Sequence, residues 1–317
     1  CRVPGQQSTK LIPVRLTVRG GLDTEFGPYA PFRLDADGRV IVPYLVTADN
    51  VVYNTDGWTQ KMPGATRVNT TTTGATDSIT GIFDYWRQGT TGTAVQKRVI
   101  YAGTKIYKDD ADGVWDSLLT GLQADKMPWA AMMNDEMILS STSTTDVPQV
   151  YDQSTIANLG GTPPDFAFCV EHKNRLFAGG VPAFPSRLYF SRLGLHEDWT
   201  GAGSGSIDCY SDDGDRLTAL HSTKEELLIF KGPHNGSILR LIGASPTGAF
   251  AFALVPFVRG VGAINQQSLV RMRNDLLFWD HTGVHSLSAT AAFGDYEQGF
   301  LSSGSAYTPT STSLASS

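Results

Sequence analysis

A short pattern recurs five times along this chain: a polar or charged pair, a clustered apolar strand, a loop, and a second apolar strand that often ends in tyrosine. The copies run Lys97-Arg98-Val99-Ile100-Tyr101 to Lys105-Ile106-Tyr107, Asp135-Glu136-Met137-Ile138-Leu139 to Gln149-Val150-Tyr151, and Asn174-Arg175-Leu176-Phe177 to Arg187-Leu188-Tyr189-Phe190. Two more are Glu225-Glu226-Leu227-Leu228-Ile229 to Ser237-Ile238-Leu239 and Asn274-Asp275-Leu276-Leu277-Phe278 to Val284-His285-Ser286-Leu287. Their starts at Arg98, Glu136, Arg175, Glu226 and Asp275 lie 38, 39, 51 and 49 residues apart. A looser sixth copy precedes them at Arg39-Val40-Ile41-Val42 and Val51-Val52-Tyr53. One hairpin cannot bury its own apolar face, so each copy must pack against the next, and this period is that of four-stranded propeller blades. The expected fold is all-β: a propeller-like repeat of about five to six antiparallel β-hairpin blades. A β-sandwich also shows short, regularly spaced strands; the period favours the propeller.

Composition narrows the classes further. Thirty-three glycines and 18% charged residues suit a turn-rich, strand-rich chain. No window sustains helical periodicity, and the longest apolar stretch, 249–258, contains Pro256 and is too short to span a bilayer, which takes about 20 residues in a helix. Pro4-Gly5, Pro13, Gly20-Gly21, Gly27-Pro28 and Pro31 punctuate residues 1–35, which read as an extended N-terminal arm. Residues 36–300 form the expected propeller-like body, with a Thr-rich surface loop near Asn69–Thr76. Residues 301–317 are a Ser/Thr-rich tail.

Several second strands lead through a polar turn to tryptophan: Tyr53 to Asp56-Gly57-Trp58, Tyr107 to Asp112-Gly113-Val114-Trp115, and Tyr189 to Glu197-Asp198-Trp199. Asp-Gly pairs favour hairpin turns, because glycine accepts positive φ and aspartate bonds its own backbone. Large amphipathic rings fill the tapering gap between blades. Tyr53, Trp58, Tyr107, Trp115, Tyr151, Tyr189, Trp199 and Trp279 are therefore expected to be structural blade residues rather than ligand contacts.

The net charge of −6 argues against a surface that neutralises many phosphates. Cys1, Cys169 and Cys209 are too scattered for a disulfide framework or zinc site; Cys169 and Cys209 read as buried free thiols. Cys1, with no signal segment before it, is expected to reflect an incomplete N-terminus rather than a lipoprotein start. Asp208, Asp212, Asp213 and Asp215 around Gly214, and Asp109, Asp110 and Asp112 around Gly113, do not complete a calcium loop. His281 and His285 flank a hairpin turn, so no helix aligns them as ligands. No nucleophile elbow, phosphate loop or Cys-His pairing appears. The expectation is no catalytic, cofactor-binding or metal residues, and no enzyme activity.

The stretch Asp110-Ala111-Asp112-Gly113-Val114-Trp115 resembles a degenerate Asp-box of sialidase-like propellers, and Arg2-Val3-Pro4 resembles their Arg-Ile-Pro element. This supports an alternative, a sialidase-like glycoside hydrolase or glycan-binding propeller. It requires arginines such as Arg175, Arg187, Arg216 and Arg240 to converge with a tyrosine and a carboxylate on the propeller axis.

A longer run carries a different resemblance. Lys173-Asn174-Arg175-Leu176-Phe177-Ala178-Gly179-Gly180, Ser186-Arg187-Leu188-Tyr189-Phe190-Ser191, Glu197-Asp198-Trp199, Gly214-Asp215-Arg216-Leu217 and Leu227-Leu228-Ile229-Phe230-Lys231 follow one another in the order seen in bacteriophage virion proteins. With Asn274-Asp275-Leu276-Leu277-Phe278-Trp279 and the early Arg19-Gly20-Gly21-Leu22-Asp23, the chain resembles propeller-like tail-nozzle, tail-tubular and DNA-stabilising head-to-tail proteins over roughly residues 95–300. The resemblance implies a structural virion protein at the tail or head-tail junction of a tailed phage, assembling as a homo-oligomeric ring. Its expected partners are portal, adaptor or tail subunits. DNA would be transient lumen cargo, and no membrane span or cofactor is implied.

Overall fold

The computed structural model describes residues 78–288 except 89–93, 110–113 and 274, with Thr73 and strand segments 32–34, 40–43, 51–53 and 59–61. The chain divides into two compact units, Cys1–Thr66 with Ser302–Leu314, and Arg67–Leu301 with Ala315–Ser317. In the first unit β1 (Phe32–Leu34) pairs with β2 (Val40–Pro43), and β3 (Val51–Tyr53) with β4 (Thr59–Lys61), both antiparallel. The loose sixth copy therefore falls on two small hairpins, one of which begins within the 1–35 segment.

The second unit is a five-bladed β-propeller. Blade 1 comprises β5 (Ile79–Gln88), β6 (Ala94–Ala102), β7 (Lys105–Asp109) and β8 (Trp115–Thr120). Blade 2 comprises β9 (Pro128–Met133), β10 (Glu136–Ser141), β11 (Gln149–Tyr151) and β12 (Ile156–Asn158). Blade 3 comprises β13 (Phe168–His172), β14 (Arg175–Gly179), β15 (Arg187–Phe190) and β16 (Gly205–Asp208). Blade 4 comprises β17 (Arg216–Ser222), β18 (Leu227–Gly232), β19 (Ser237–Ile242) and β20 (Ala253–Arg259). Blade 5 shows β21 (Leu269–Met272), β22 (Asp275–Asp280) and β23 (Gly283–Ser286). Each sheet is an antiparallel meander in chain order, so the Greek-key crossovers of a sandwich are missing from the described residues. Packing between blades runs from β5 to β9, β13 and β17, then to the 3-10 turn Gln266–Ser268 before β21.

The recognisable repeat is the middle pair of strands in each blade, and the reason is burial. The second strand meets a neighbour on both faces, so its side chains alternate between two apolar interfaces. In β18, Leu227 and Ile229 pack toward blade 3, whereas Leu228 and Phe230 pack toward blade 5. In β14, Leu176 and Ala178 join the core shared with blade 2, and Phe177 that shared with blade 4. In β10, Met137 and Leu139 face blade 1 while Ile138 faces blade 3. Fully burying one such side chain contributes roughly 1.5–3 kcal/mol. Outer strands lose this two-sided burial; β20 accommodates Pro256 there, beside a bulge, where no further strand needs its N–H.

Tight turns set the first hairpins. Asn134 and Asp135 (φ 55° and 60°), and Lys173 and Asn174 (φ 48° and 61°), are consecutive left-handed pairs joining β9 to β10 and β13 to β14. Two positive φ values in a two-residue loop match the twist of the flanking strands.

Candidate functional site

Aromatic side chains sit where neighbouring blades meet. Tyr151 is buried against Tyr85, ring centroids 5.6 Å apart and edge-on, in the core between blades 1 and 2. Trp199 is buried beside Phe166, also at 5.6 Å, between blades 2 and 3, with Tyr189 partly buried against the same cluster. Tyr107 packs with Ile100, Ala102 and Trp115 on the face of blade 1 turned away from blade 2. Trp279 is half-buried on β22, and its carbonyl accepts the Ile264 N–H at 2.9 Å. Tyr53 lies on β3, and Trp58 lies outside the described residues, as do the Asp56-Gly57 and Asp112-Gly113 turns.

Polar ties between blades run chiefly from side-chain donors to backbone carbonyls. Tyr85 Oη donates to Asp135 O, and Arg87 Nη1 to Asp152 O at 2.8 Å. Trp129 Nε1 donates to Cys169 O at 2.8 Å, and Asn134 Nδ2 to Gly194 O at 2.9 Å. Lys173 Nζ reaches Glu225 O at 2.6 Å and Gly243 O at 2.9 Å. Gln266 acts like an added strand residue: its Oε1 accepts from Leu220 N at 2.6 Å and its Nε2 donates to Leu220 O at 2.9 Å.

The four arginines of the glycosidase alternative are separated by their partners. Arg175 Nη1 donates to Ser191 O at 2.9 Å and Gly203 O at 2.5 Å, with its guanidinium 5.9 Å from the Phe190 and Phe252 ring centres. Arg187 pairs with Asp208 at 2.7 Å. Arg240 lies 3.6 Å from Glu226 and 4.6 Å from the Phe257 ring centre. Arg216 is exposed at the start of β17. They form no common carboxylate grip.

The aspartates near Gly214 are structural. Lys231 is fully buried, and its Nζ donates to Asp213 Oδ2 at 2.5 Å, Cys209 O at 2.6 Å and Tyr210 O at 2.7 Å. Asp215 accepts the backbone N–H groups of His234 at 2.7 Å and Gly236 at 2.9 Å. Asp208 is held by Arg187, and Asp212 is exposed. Of the other acidic group, Asp109 is buried at the end of β7, while Asp110 and Asp112 lie outside the described residues. Among the described residues no group of three or more His, Cys, Asp or Glu is placed to hold a metal ion. His285 is buried and stacked on Phe278, centroids 5.5 Å apart; His281 is exposed in the preceding turn. Cys169 and Cys209 are buried free thiols, and burial pushes the Cys209 thiol up to about 12.

A cleft of about 640 Å³ lies between blades 4 and 5. Lys224, Arg271 and Arg273 supply cations at its rim; Leu228, Phe257, Leu276 and Leu287 supply apolar wall. This site was not legible in the sequence, because its walls are about 45 residues apart and the repeat copies they carry mark burial rather than a ligand.

A propeller assembled in this way defines an architecture, not a reaction. No family model and no curated protein matches the chain. Among solved structures it is similar to YCF48 bound to a D1 peptide, 12% identical over 73% of this chain and 68% of that one, TM-score 0.42. It is also similar to the extracellular domain of a hybrid two-component system from B. thetaiotaomicron, 12% identical over 74% of this chain and 31% of that one, TM-score 0.45. A third is a gluconolactonase from Xanthomonas campestris, 12% identical over 60% of this chain and 68% of that one, TM-score 0.35. At these scores the likenesses carry no functional argument. Among the described residues no helix is long and apolar enough to cross a membrane.

Proposed function

We propose that this protein is a non-enzymatic structural subunit that assembles into a homo-oligomeric ring. On its sequence resemblance, the ring belongs to the tail nozzle or head-tail connector of a tailed bacteriophage virion. The observation that carries the reading is the ordered resemblance across residues 95–300, which exposed apolar side chains on the first and last blades accompany. On blade 1, Phe83 and Tyr85 face blade 2, so Ile82 and Trp86 lie on the opposite face, 60% and 58% exposed. On blade 5, Leu276 and Phe278 face blade 4, so Val270 and Met272 lie on its other face, 55% and 56% exposed. Ring closure by rotation needs two different, complementary faces on each subunit. The half-exposed apolar groups suit a protein–protein contact, at the margin of a blade 1 face whose Ile100, Ala102 and Tyr107 are already buried within the chain. Partners at the ends of the ring would be portal, adaptor or tail subunits, with DNA passing the lumen transiently.

The test is the native mass of the full chain by light scattering and negative-stain imaging. The expected result is a closed ring, reduced to monomers by Ile82→Glu with Trp86→Glu while circular dichroism stays unchanged. A monomer at every concentration, or a ring indifferent to both substitutions, would overturn the assembly reading.

A further inference from the structure

We infer that the cleft between blades 4 and 5 is a binding site for an oxyanion, carboxylate or phosphate, carried on a small apolar body. The inference is independent of the ring reading. It begins with charge matching inside the cleft. Its two carboxylates are already engaged: Asp275 accepts from Ser286 Oγ at 2.5 Å, Leu276 N at 2.8 Å and Ser288 N at 3.0 Å. Glu226 lies 3.6 Å from Arg240 Nη1. Arg271 and Arg273 have no carboxylate or carbonyl partner among the described residues, and Lys224 reaches only the exposed Glu225 at 3.9 Å. The cleft therefore holds cations in excess of the acids free to neutralise them.

Arg273 also differs from its counterparts in blades 2 and 3. Arg273, left-handed at φ 53°, begins the turn between β21 and β22, the place that Asn134 holds in blade 2 and Lys173 in blade 3. Asn134 and Lys173 direct their donors to carbonyls of the following blade at 2.6–2.9 Å. Arg273 occupies the same position with its five donors unengaged among the described residues. Beside it, Arg271 shares a strand face with Leu269, so the inter-blade surface changes from apolar core to guanidinium on reaching the cleft. A further orphan lies next to the cleft: Arg240 Nε is buried without a hydrogen-bond partner behind Phe257.

Two guanidinium groups offer the planar, paired donors that carboxylates and phosphates match. Leu228, Phe257, Leu276 and Leu287 form the apolar wall against which the body of the ligand would rest. The 640 Å³ volume lies within the range of small-molecule sites, about 300–1,000 Å³. The geometry favours a small aromatic or branched acid over a bare inorganic ion.

The experiment is calorimetric titration of the full chain with phenyl phosphate, benzoate, benzyl alcohol and inorganic phosphate. Expected is saturable binding of phenyl phosphate or benzoate below about 10 mM, a range that calorimetry resolves. Affinity should fall at least tenfold in R271Q/R273Q, and benzyl alcohol and inorganic phosphate should bind more weakly than the aryl anions. The comparison of phenyl phosphate with benzoate separates phosphate from carboxylate preference. Both arginines are exposed, so the double variant should melt like the parent. Lys224→Gln gives a milder second test, with a twofold to fivefold loss. The proposal is overturned if neither aryl anion binds, if benzyl alcohol binds as tightly, or if the double variant keeps its affinity.

Discussion

Trp199 shows how one residue separates a structural role from a ligand-stacking one. Its ring is buried against Phe166 in the core between blades 2 and 3, whereas its neighbour Asp198 accepts the Gly201 N–H at 2.8 Å in a surface turn. Trp199→Ala should destabilise the fold by about 3–5 kcal/mol, because a cavity remains where the ring stood. Asp198→Ala should cost about 1 kcal/mol, the worth of a capping contact. Urea titrations of both variants give the comparison; an unchanged midpoint for Trp199→Ala would remove the structural role. Gly161 is a sharper case. Its φ is +74°, and a Cβ there would lie 1.6 Å from Glu197 O, so Gly161→Ala must move backbone as well as accept a left-handed alanine. A loss beyond the roughly 1–3 kcal/mol of backbone strain alone is expected in the same titration.

At the scale of elements, blades are joined by apolar faces and by donors that reach a neighbour's carbonyls. Lys231 is the deepest of these donors, rising from β18 to the loop before β17. Removing it leaves the half-buried Asp213 without its cation and two carbonyls without their donor. Lys231→Ala should therefore cost about 3–5 kcal/mol. Lys231→Met restores volume but not the donor, so it should recover only part of the loss in thermal melts. Full recovery by methionine would mean that packing, not charge, decides the site. Few of these ties are readable in advance, since a carbonyl acceptor has no side-chain identity. The apolar middle strands are readable, because two-sided burial forces Leu227-Leu228-Ile229-Phe230 to be apolar at every position.

Across the whole molecule, buried histidines link stability to pH. Burial, reinforced by the nearby Lys173 charge, lowers His172 to about 4, and burial also lowers His221 and His285. In the unfolded chain these imidazoles titrate near 6.5. Between about 6.5 and 4 the unfolded state therefore binds more protons than the folded one, and stability falls as pH falls. The melting temperature should be level above pH 7 and drop toward pH 4, with a shallower slope in His172→Gln. An equal slope in that variant would remove His172 from the cause. Asp275 acts in the same direction at lower pH: burial raises its carboxyl, but hydrogen bonds from Ser286, Ser288 and Leu276 outweigh this and hold it below its usual range. At the level of assembly, the net charge of −6 predicts no tight binding of free duplex DNA at physiological salt. Filter binding tests this, and nanomolar, salt-sensitive retention would contradict a lumen that lets DNA pass.

By itself the amino-acid order determined the class of fold, the period of the blades and the position of their middle hairpins. It did so because those hairpins are sandwiched between neighbours and must be apolar at consecutive positions. It also marked Tyr151 and Trp199 as packing residues, since large rings suit the gap between sheets. Tertiary structure alone decided the rest. Outer strands such as Ile156–Asn158 and Gly205–Asp208 are half-solvated and have weak patterns, so only pairing with the preceding strand defines them. Asp213 and Asp215 look like loose acidic loop residues until Lys231 and the Gly236 backbone arrive from a different part of blade 4. The cationic cleft arises in the same way: residues near 221–228 and 271–288 become neighbours only when blade 5 closes against blade 4. Local sequence encodes what a segment must bury, whereas the partners of its polar groups depend on which distant segment the packing brings alongside.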